Sequence, residues 1–338
     1  MKVTPFLIDI SEGAISDLKL RLGMTRWPDE LVGSGWDYGI PLAAVKEIVT
    51  YWRDCFDWKK VELKLNSQPQ FQIDIDGQSI HYVHVRGVDA NSPAIILTHG
   101  WPGSFVEMHK IIPILIDPEN NGLPSFRSFD VGIPSLPGFG FSQAPVRAGI
   151  NTKVMSSIWH KLMVQLGSPK YFAQGGDIGS GVSSWLALSY LGSVRALHLN
   201  FISGTFSPPL GIGERPLSIF ESEWLFNRTK WIQKEGGYSH IQSTKPQTLA
   251  YALTDSPAGL AAWISEKFFA WSDGGPDLTS RFDINELLSN ISVYWFSGNA
   301  ASILRIYKEN AAQPFSFAAL EQPFALVRDI HESFADMP

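Results

Sequence analysis

Hydrophobic positions in the first 90 residues follow two different periods. Between Ser11, which can cap a helix, and the Trp-Pro-Asp turn at 27–29, apolar residues recur every three or four positions. A second stretch with this helical period begins at Pro41. Residues 71–85 instead alternate between apolar and polar around an Asp-Gly pair at 76–77. This alternation predicts a β-hairpin after the two helices.

Beyond residue 90, short apolar segments alternate with helical patterns. Helices are predicted over residues 154–166 and 182–191. Strands are predicted over residues 93–97, 130–134, 171–173 and 196–202. Strands separated by helices in this way favour a mostly parallel sheet.

Residues 204–290 break this alternation. They carry helical patterns and few strand signals, and their tryptophans lie at positions 224, 231, 263 and 271. A helical insertion over the ends of the strands forms a lid that excludes water and shapes a pocket. We therefore predict an α/β protein with an N-terminal extension over residues 1–90, a core formed by 91–203 and 291–338, and a helical lid over 204–290.

Composition narrows the classes of function. The chain has 338 residues and a net charge of −6 without a basic patch, so nucleic acid is not an expected partner. Its single cysteine, Cys55, excludes an intrachain disulfide and fits a reducing compartment. No apolar run reaches the length of a membrane span, and the first residues lack a signal-sequence pattern. These features favour a soluble cytoplasmic protein, and the spacing of His, Asp and Glu predicts neither a metal nor a cofactor.

The segment with the clearest chemistry is Gly-Gly-Asp-Ile-Gly-Ser at residues 175–180. It follows a predicted strand and precedes a predicted helix, and a strand, a tight glycine turn and a helix in that order form a nucleophile elbow. The usual residue at the turn is serine, whereas here it is Asp177. A carboxylate attacks a strained or activated carbon and leaves an ester on the enzyme. Clearing that ester requires a positioned base.

The loop His-Gly-Trp-Pro-Gly at residues 99–103 directly follows a predicted strand. We expect it to supply backbone groups that assist this chemistry. In elbow enzymes the backbone N–H groups of such a loop and of the residue after the nucleophile face the reacting atoms. Here these donors are Trp101 and Ile178. Opening an epoxide also requires an acid, and the O–H of a tyrosine suits that role. Spacing alone selects none of the nine tyrosines.

Motifs spread over nearly the whole chain resemble those of the microsomal and fungal epoxide hydrolases of the α/β-hydrolase superfamily. They lie at residues 25–30, 36–39 and 51–59 in the N-terminal extension, at 99–103, 135–142 and 176–179 in the core, and at 237–246 and 255–262 in the lid. So many matches in one order are specific, whereas any one of them alone is weak.

The resemblance implies an α/β-hydrolase fold and roles for three residues. Asp177 matches the aspartate that forms the alkyl-enzyme ester. Tyr238 in the lid and Tyr307 in the motif at 305–310 match the two proton-donating tyrosines. An apolar epoxide is the implied substrate, and the aromatic lid favours a bulky one such as a lipid or a fungal secondary metabolite. No cofactor is implied.

The C-terminal segment departs from the family pattern. After the second tyrosine the family has a strand and loop with an Asp or Glu, then a further strand and a Gly-Gly-His motif. Here residues 313–321 follow Tyr307 almost at once, and Ser316 stands in the histidine position. The sheet is therefore expected to lack its last strands and to leave a hydrophobic edge. A partner chain, as in a homo-oligomer, a rearranged C-terminus and a faulty gene model each explain this difference.

Other histidines are weak substitutes for the missing base. His331 lies on the predicted terminal helix, where it is expected to face solvent, and His81 lies on the hairpin. His99 is expected to anchor its loop, and His240 lies close enough to Tyr238 in sequence to line a pocket.

Three functions remain open on the sequence. The first is an epoxide hydrolase whose Asp177 is alkylated but whose turnover is impaired. The second is an isomerase or cyclase, in which Tyr238 and Tyr307 polarise an epoxide and a nucleophile within the substrate opens it. The third is a non-catalytic family member that binds a ligand or a partner.

Overall fold

A seven-stranded mixed sheet forms the centre of the structure, a computed structural model that describes residues 2–201, 208, 210–211 and 213–311. Its strands are β1 (Val3–Phe6), β2 (Gln70–Ile75), β3 (Gln78–Val85), β4 (Ala94–Thr98), β5 (Asp130–Pro134), β6 (Tyr171–Gly175) and β7 (Val194–Leu199). They lie in the order β1-β2-β3-β5-β4-β6-β7. The antiparallel pairs are β1 with β2, β2 with β3 and β3 with β5. Strands β5, β4, β6 and β7 run parallel to one another.

The predicted hairpin is confirmed, and it belongs to the central sheet. Asp76 and Gly77 at its turn have φ values of 56° and 78°. Two successive positive φ values give a turn whose twist matches that of the flanking strands. Strand β3 then pairs with β5, from Tyr82 opposite Pro134 onward. Strands on both sides of residue 90 therefore share one sheet.

The described residues also form twelve α-helices and two short 3₁₀ helices. The 3₁₀ helices are Gly35–Tyr38 and Phe105–Lys110. The α-helices are α1 (Glu12–Gly23), α2 (Leu42–Asp54), α3 (Trp58–Asn66), α4 (Ile112–Ile116), α5 (Thr152–Gln165), α6 (Ile178–Ser189), α7 (Ile219–Glu235), α8 (Gly237–Thr244), α9 (Pro246–Asp255), α10 (Pro257–Ala270), α11 (Ile284–Ser297) and α12 (Ala300–Ala311). Ser11 caps α1 through a hydrogen bond from the Ala14 N–H, as predicted.

Helices α7 to α10 are held between the N-terminal helices and α12. Helix α10 packs against α1, α2 and α11, while α8 and α9 pack against α12. Trp36 stacks on Phe269 of α10, with ring centroids 3.6 Å apart. The indole N–H of Trp52 donates to Ser292 Oγ at 3.0 Å, which ties α2 to α11. The N-terminal extension thus supports the helical segment as well as the sheet.

Some boundaries differ from the predictions. Helix α6 begins at Ile178 rather than at 182, because the glycines of the turn hide the start of the apolar period. Strand β7 covers Val194–Leu199 rather than 196–202. Helix α3 was not predicted, since its nine residues are too short for a clear period, and its N-terminus is capped by Asp57. Strand β1, with four residues, also lacks a periodic signal.

Strand β7 is the last strand of the sheet among the described residues, and its residues 195–198 are exposed. Ser316, His331 and the predicted terminal helix lie outside the described residues. In the part of the chain that the structure describes, no helix is both long and apolar enough to cross a membrane.

Gly77→Ala is expected to lower the free energy of unfolding by about 1 kcal/mol, because alanine is disfavoured in left-handed backbone conformation. Gly192→Ala is the matched control, since Gly192 lies outside the left-handed region and has open space for a Cβ. That change is expected to be neutral or slightly stabilising. Equilibrium unfolding in urea measures both variants, and equal midpoints would contradict the turn geometry.

Candidate active site

Asp177 lies at the sharp turn between β6 and α6. Its φ is 51° and its ψ is −123°, a backbone conformation that is strained for any residue with a side chain. The turn requires glycine on either side. A Cβ on Gly175 would lie 2.1 Å from the carbonyl oxygen of Gly179, and a Cβ on Gly179 would lie 2.0 Å from that of Thr98. This is the geometry predicted for a nucleophile elbow.

Two backbone N–H groups hold the Asp177 carboxylate. The Trp101 N–H donates to Oδ1 at 2.8 Å, and the Ile178 N–H also hydrogen-bonds the carboxylate. Gly100 allows the loop to come this close, because a Cβ there would lie 2.2 Å from Oδ1. Desolvation raises the pKa of Asp177, and the two N–H groups lower it in part. The two donors predicted from the sequence therefore meet at the carboxylate.

The loop that carries Trp101 is fixed from two sides. His99 is buried, and its Nε2 accepts a hydrogen bond from the Leu136 N–H at 3.3 Å. Desolvation lowers the pKa of His99 to about 4, so the ring is neutral. From α11, Asn290 Nδ2 donates to the Pro102 carbonyl at 2.7 Å and the Tyr294 hydroxyl donates to that of Gly103 at 2.6 Å. His99 anchors the loop, as predicted.

Tyr238 on α8 and Tyr307 on α12 come together beside Trp101. Their rings are 5.7 Å apart at 80°, and their side chains are hydrogen-bonded. The Trp101 ring stacks on Tyr238 at 5.0 Å and meets Tyr307 edge-on at 6.0 Å. Desolvation and the charge of Asp177 raise the pKa of Tyr238 to about 12, and that of Tyr307 is raised well above its usual value. Both hydroxyls are therefore protonated at neutral pH.

A buried lysine lies beneath this tyrosine pair and was not predicted from the sequence. Lys267 on α10 is 8% exposed, and its Nζ lies 5.1 Å from the centre of the Tyr238 ring. It pairs with Glu266 at 2.6 Å and with Glu235 at 3.8 Å. A cation over an aromatic face is attractive, and it fixes the orientation of the ring. Nothing in the local sequence distinguishes this lysine from a surface one.

Glu107 is a second carboxyl group at the site that the sequence did not reveal. Desolvation and the negative charge of Asp177 raise its pKa to about 8, while a hydrogen bond from the backbone of Gly100 opposes the shift. A Cβ on Gly103 would lie 2.3 Å from its Oε2. The last glycine of the loop therefore makes room for this side chain.

One cavity of about 930 Å³ is bordered by Trp101, Glu107, Asp177, Tyr238 and Lys267. Its volume suits a bulky organic ligand. His198 of β7 also lines it, whereas His240 is exposed on α8. The apolar part of the lining includes Leu97, Met108, Ile111, Leu115, Phe268 and Trp271. Within the described part of the chain, no group of His, Cys, Asp and Glu side chains is arranged to hold a metal ion.

Comparisons with known proteins show the family of the chain. Residues 3–108 match the family model described as epoxide hydrolase N terminus, and residues 93–220 match that of the alpha/beta hydrolase fold. Epoxide hydrolase 1 of Sus scrofa is 39% identical over 337 residues, which cover 92% of this chain and 73% of that protein. The chain belongs to the epoxide hydrolase family. Enzymes of this family are hydrolases that act on ether bonds.

Solved structures of epoxide hydrolases have the same fold. The Aspergillus niger epoxide hydrolase superposes with a TM-score of 0.80 at 27% identity, covering 100% of this chain and 97% of its own. The juvenile hormone epoxide hydrolase of the silkworm Bombyx mori gives a TM-score of 0.80 at 30% identity, covering 97% of this chain and 80% of its own. The predicted α/β-hydrolase fold is confirmed.

Asp177→Asn is expected to raise the thermal midpoint at pH 7 by about 2 °C or more, because it removes a charge whose desolvation destabilises the folded state. The raised pKa of Asp177 means that this cost is present above the folded-state pKa and disappears as the pH falls through it. Calorimetry at pH 7 and at acid pH measures the difference. Asp277→Asn should act in the opposite direction, since hydrogen bonds from Ser280 and Thr279 lower the pKa of Asp277. A lower midpoint for Asp177→Asn at pH 7 would contradict this electrostatic interpretation.

Proposed function

We propose that this chain opens an apolar epoxide by attack of Asp177, with Tyr238 and Tyr307 donating the proton to the epoxide oxygen. One observation supports the proposal most directly. The Trp101 residue that hydrogen-bonds Asp177 through its backbone also stacks its ring against the hydrogen-bonded tyrosine pair. The candidate nucleophile and Tyr238 therefore border the same cavity, and Tyr307 is hydrogen-bonded to Tyr238.

In the first step, the free carboxylate oxygen of Asp177 attacks a ring carbon of the epoxide. The carbon–oxygen bond of the ring breaks, and its electron pair stays on the oxygen. That oxygen takes the proton of one tyrosine hydroxyl, and the other hydroxyl stabilises the tyrosinate by hydrogen bonding. The raised pKa of Tyr238 keeps its proton in place until the alkoxide develops. The products are a hydroxyalkyl ester on Asp177 and one tyrosinate.

In the second step, water attacks the carbonyl carbon of the ester. The N–H groups of Trp101 and Ile178 are placed to stabilise the resulting oxyanion, because they already hydrogen-bond the Asp177 carboxylate. The bond from this carbon to the alkyl oxygen breaks, that oxygen takes one proton from the water, and the diol departs and leaves Asp177 as a carboxylic acid. Ser316 occupies the position of the family's histidine base, so we expect this second step to be the slower one.

The lining of the cavity supports a lipophilic substrate. Its walls are largely aliphatic and aromatic, and its volume of about 930 Å³ exceeds that of a small epoxide. The silkworm protein of the same fold is named for juvenile hormone. We therefore propose a bulky apolar epoxide as the substrate class for this chain.

The tyrosine pair also supports a second candidate function, epoxide isomerisation or cyclisation, which needs these two residues but not Asp177. Both hydroxyls have raised pKa values and can polarise an epoxide without an ester on Asp177. A nucleophile within the substrate would then open the ring. In this mechanism Asp177→Asn retains product formation, whereas in the hydrolase mechanism it abolishes it.

Incubation with an excess of a lipophilic epoxide is expected to raise the intact mass of the protein by one epoxide, because the ester forms faster than it is cleared. Peptide mapping should place the adduct on Asp177. Asp177→Asn removes the nucleophile and should give no adduct. An unmodified wild-type protein and no diol, over a broad panel of epoxides, would contradict the proposal.

Tyr238→Phe and Tyr307→Phe are each expected to slow adduct formation by about 100-fold or more, since general acid catalysis contributes at least that much. Rapid-quench mass spectrometry gives the rate constant. Tyr251→Phe is the matched control, because Tyr251 lies exposed on α9 away from the cavity. Rate constants that stay within twofold of wild type in both test variants would remove the tyrosines from the mechanism.

A further inference from the structure

We propose that Glu107 is the general base that activates the water for hydrolysis of the Asp177 ester. This inference rests on the proposed function of Asp177. Glu107 belongs to the 3₁₀ helix Phe105–Lys110 and lines the same cavity as Asp177 and Tyr238. None of the steps proposed above uses Glu107, and its contacts place it beside Asp177.

Two consecutive backbone N–H groups place the two carboxyl groups side by side. The Gly100 N–H hydrogen-bonds Glu107, and the Trp101 N–H donates to Asp177 Oδ1 at 2.8 Å. The nitrogens of adjacent residues are within about 4 Å of each other. A water molecule that hydrogen-bonds the Glu107 carboxylate can therefore reach the carbonyl carbon of the Asp177 ester, which is the geometry that a general base requires.

The position of Glu107 is fixed by its surroundings. Its Oε2 occupies the space that a Cβ on Gly103 would fill, at 2.3 Å. The Tyr294 hydroxyl donates to the Gly103 carbonyl at 2.6 Å, which fixes this part of the loop against α11. The charge of Glu107 contributes to the raised pKa of Tyr294, so the two side chains are close.

Formation of the ester changes the protonation of Glu107. In the free protein, desolvation and the charge of Asp177 raise the pKa of Glu107 to about 8. The ester carries no charge, so this contribution of Asp177 disappears and the pKa of Glu107 falls. Glu107 is therefore mainly protonated while Asp177 attacks, and once the ester has formed it ionises by giving its proton to the tyrosinate left by the first step. The base becomes available at the step that needs it.

Other titratable groups surround Glu107 on two sides. Tyr238, Lys267 and His198 line the main cavity with it. Lys64, His109, Lys110 and Glu286 line a second cavity of about 340 Å³ that Glu107 also borders. His198 is the competing base, because it is the histidine among the described lining residues of the main cavity.

The protons balance in this step. The Glu107 carboxylate takes one proton from water as the oxygen bonds to the ester carbon, and a tetrahedral oxyanion forms. Protonated Glu107 then gives this proton to the leaving alkyl oxygen as the carbon–oxygen bond breaks. The Asp177 carboxyl group that remains gives its proton to the Glu107 carboxylate, which returns Asp177, Glu107 and both tyrosines to their starting protonation states. The sum is epoxide plus water to diol.

Glu107→Gln keeps the shape and the hydrogen bond from Gly100 but removes the base. A single-turnover experiment with a lipophilic epoxide, followed by intact mass and by diol release, separates adduct formation from clearance. We expect adduct formation within about threefold of wild type and clearance slowed about 100-fold or more. In wild type, clearance should slow as the pH falls, because Glu107 must be ionised, and Glu107→Gln should lose this dependence.

Glu47→Gln is the matched control, since Glu47 lies on the exposed side of α2 and should clear the adduct at the wild-type rate. His198→Gln tests the competing base in the same cavity. Wild-type clearance in Glu107→Gln, or arrest in His198→Gln alone, overturns the inference. A wild-type adduct that never clears also overturns it. A wild-type protein that forms neither adduct nor diol overturns the proposed function itself, and this inference with it.

Discussion

The hydrogen bond from the Trp101 N–H to the Asp177 carboxylate is the contact on which the site depends. It requires Asp177 to adopt a φ of 51°, and it requires glycine at position 100, where a Cβ would collide with Oδ1. His99 and α11 hold the loop against the turn. Strain and desolvation at Asp177 are maintained by the packing of the sheet below. A residue held this way suits the proposed attack and the oxyanion that would follow it.

The helical segment after β7 completes the candidate site because it brings the two proposed acids to the proposed nucleophile. Tyr238 comes from α8 and Tyr307 from α12, and the packing of these two helices brings the two tyrosine side chains into contact. The N-terminal extension contributes at a distance, since Trp52 bonds α11 and Trp36 stacks on α10. The same helices place Lys267 beneath the Tyr238 ring. The extension therefore supports these helices, although none of the residues with a proposed chemical role lies within it.

Two carboxyl groups in one desolvated cavity give the site its electrostatic character. Asp177 and Glu107 each raise the cost of charging the other, so the enclosed cavity disfavours two full charges at once. Of the two adjacent N–H groups in one loop, that of Trp101 hydrogen-bonds Asp177 and that of Gly100 hydrogen-bonds Glu107. In the proposed mechanism, alkylation neutralises Asp177 and allows Glu107 to ionise. A covalent step thereby sets the protonation state for the step after it.

The sequence by itself determined the fold class, the hairpin, the elbow at Asp177 and the pair of N–H donors, because turns and strand–helix order depend on local chemistry. It selected Tyr238 and Tyr307 only through resemblance, and the structure then placed the two side by side. Glu107 and Lys267 became visible only in the tertiary structure, since an isolated Glu or Lys in sequence is usually solvated. Their chemistry depends on which neighbours remove them from water. Those neighbours come from the turn between β6 and α6 and from α7, α8 and α11, which only folding brings together.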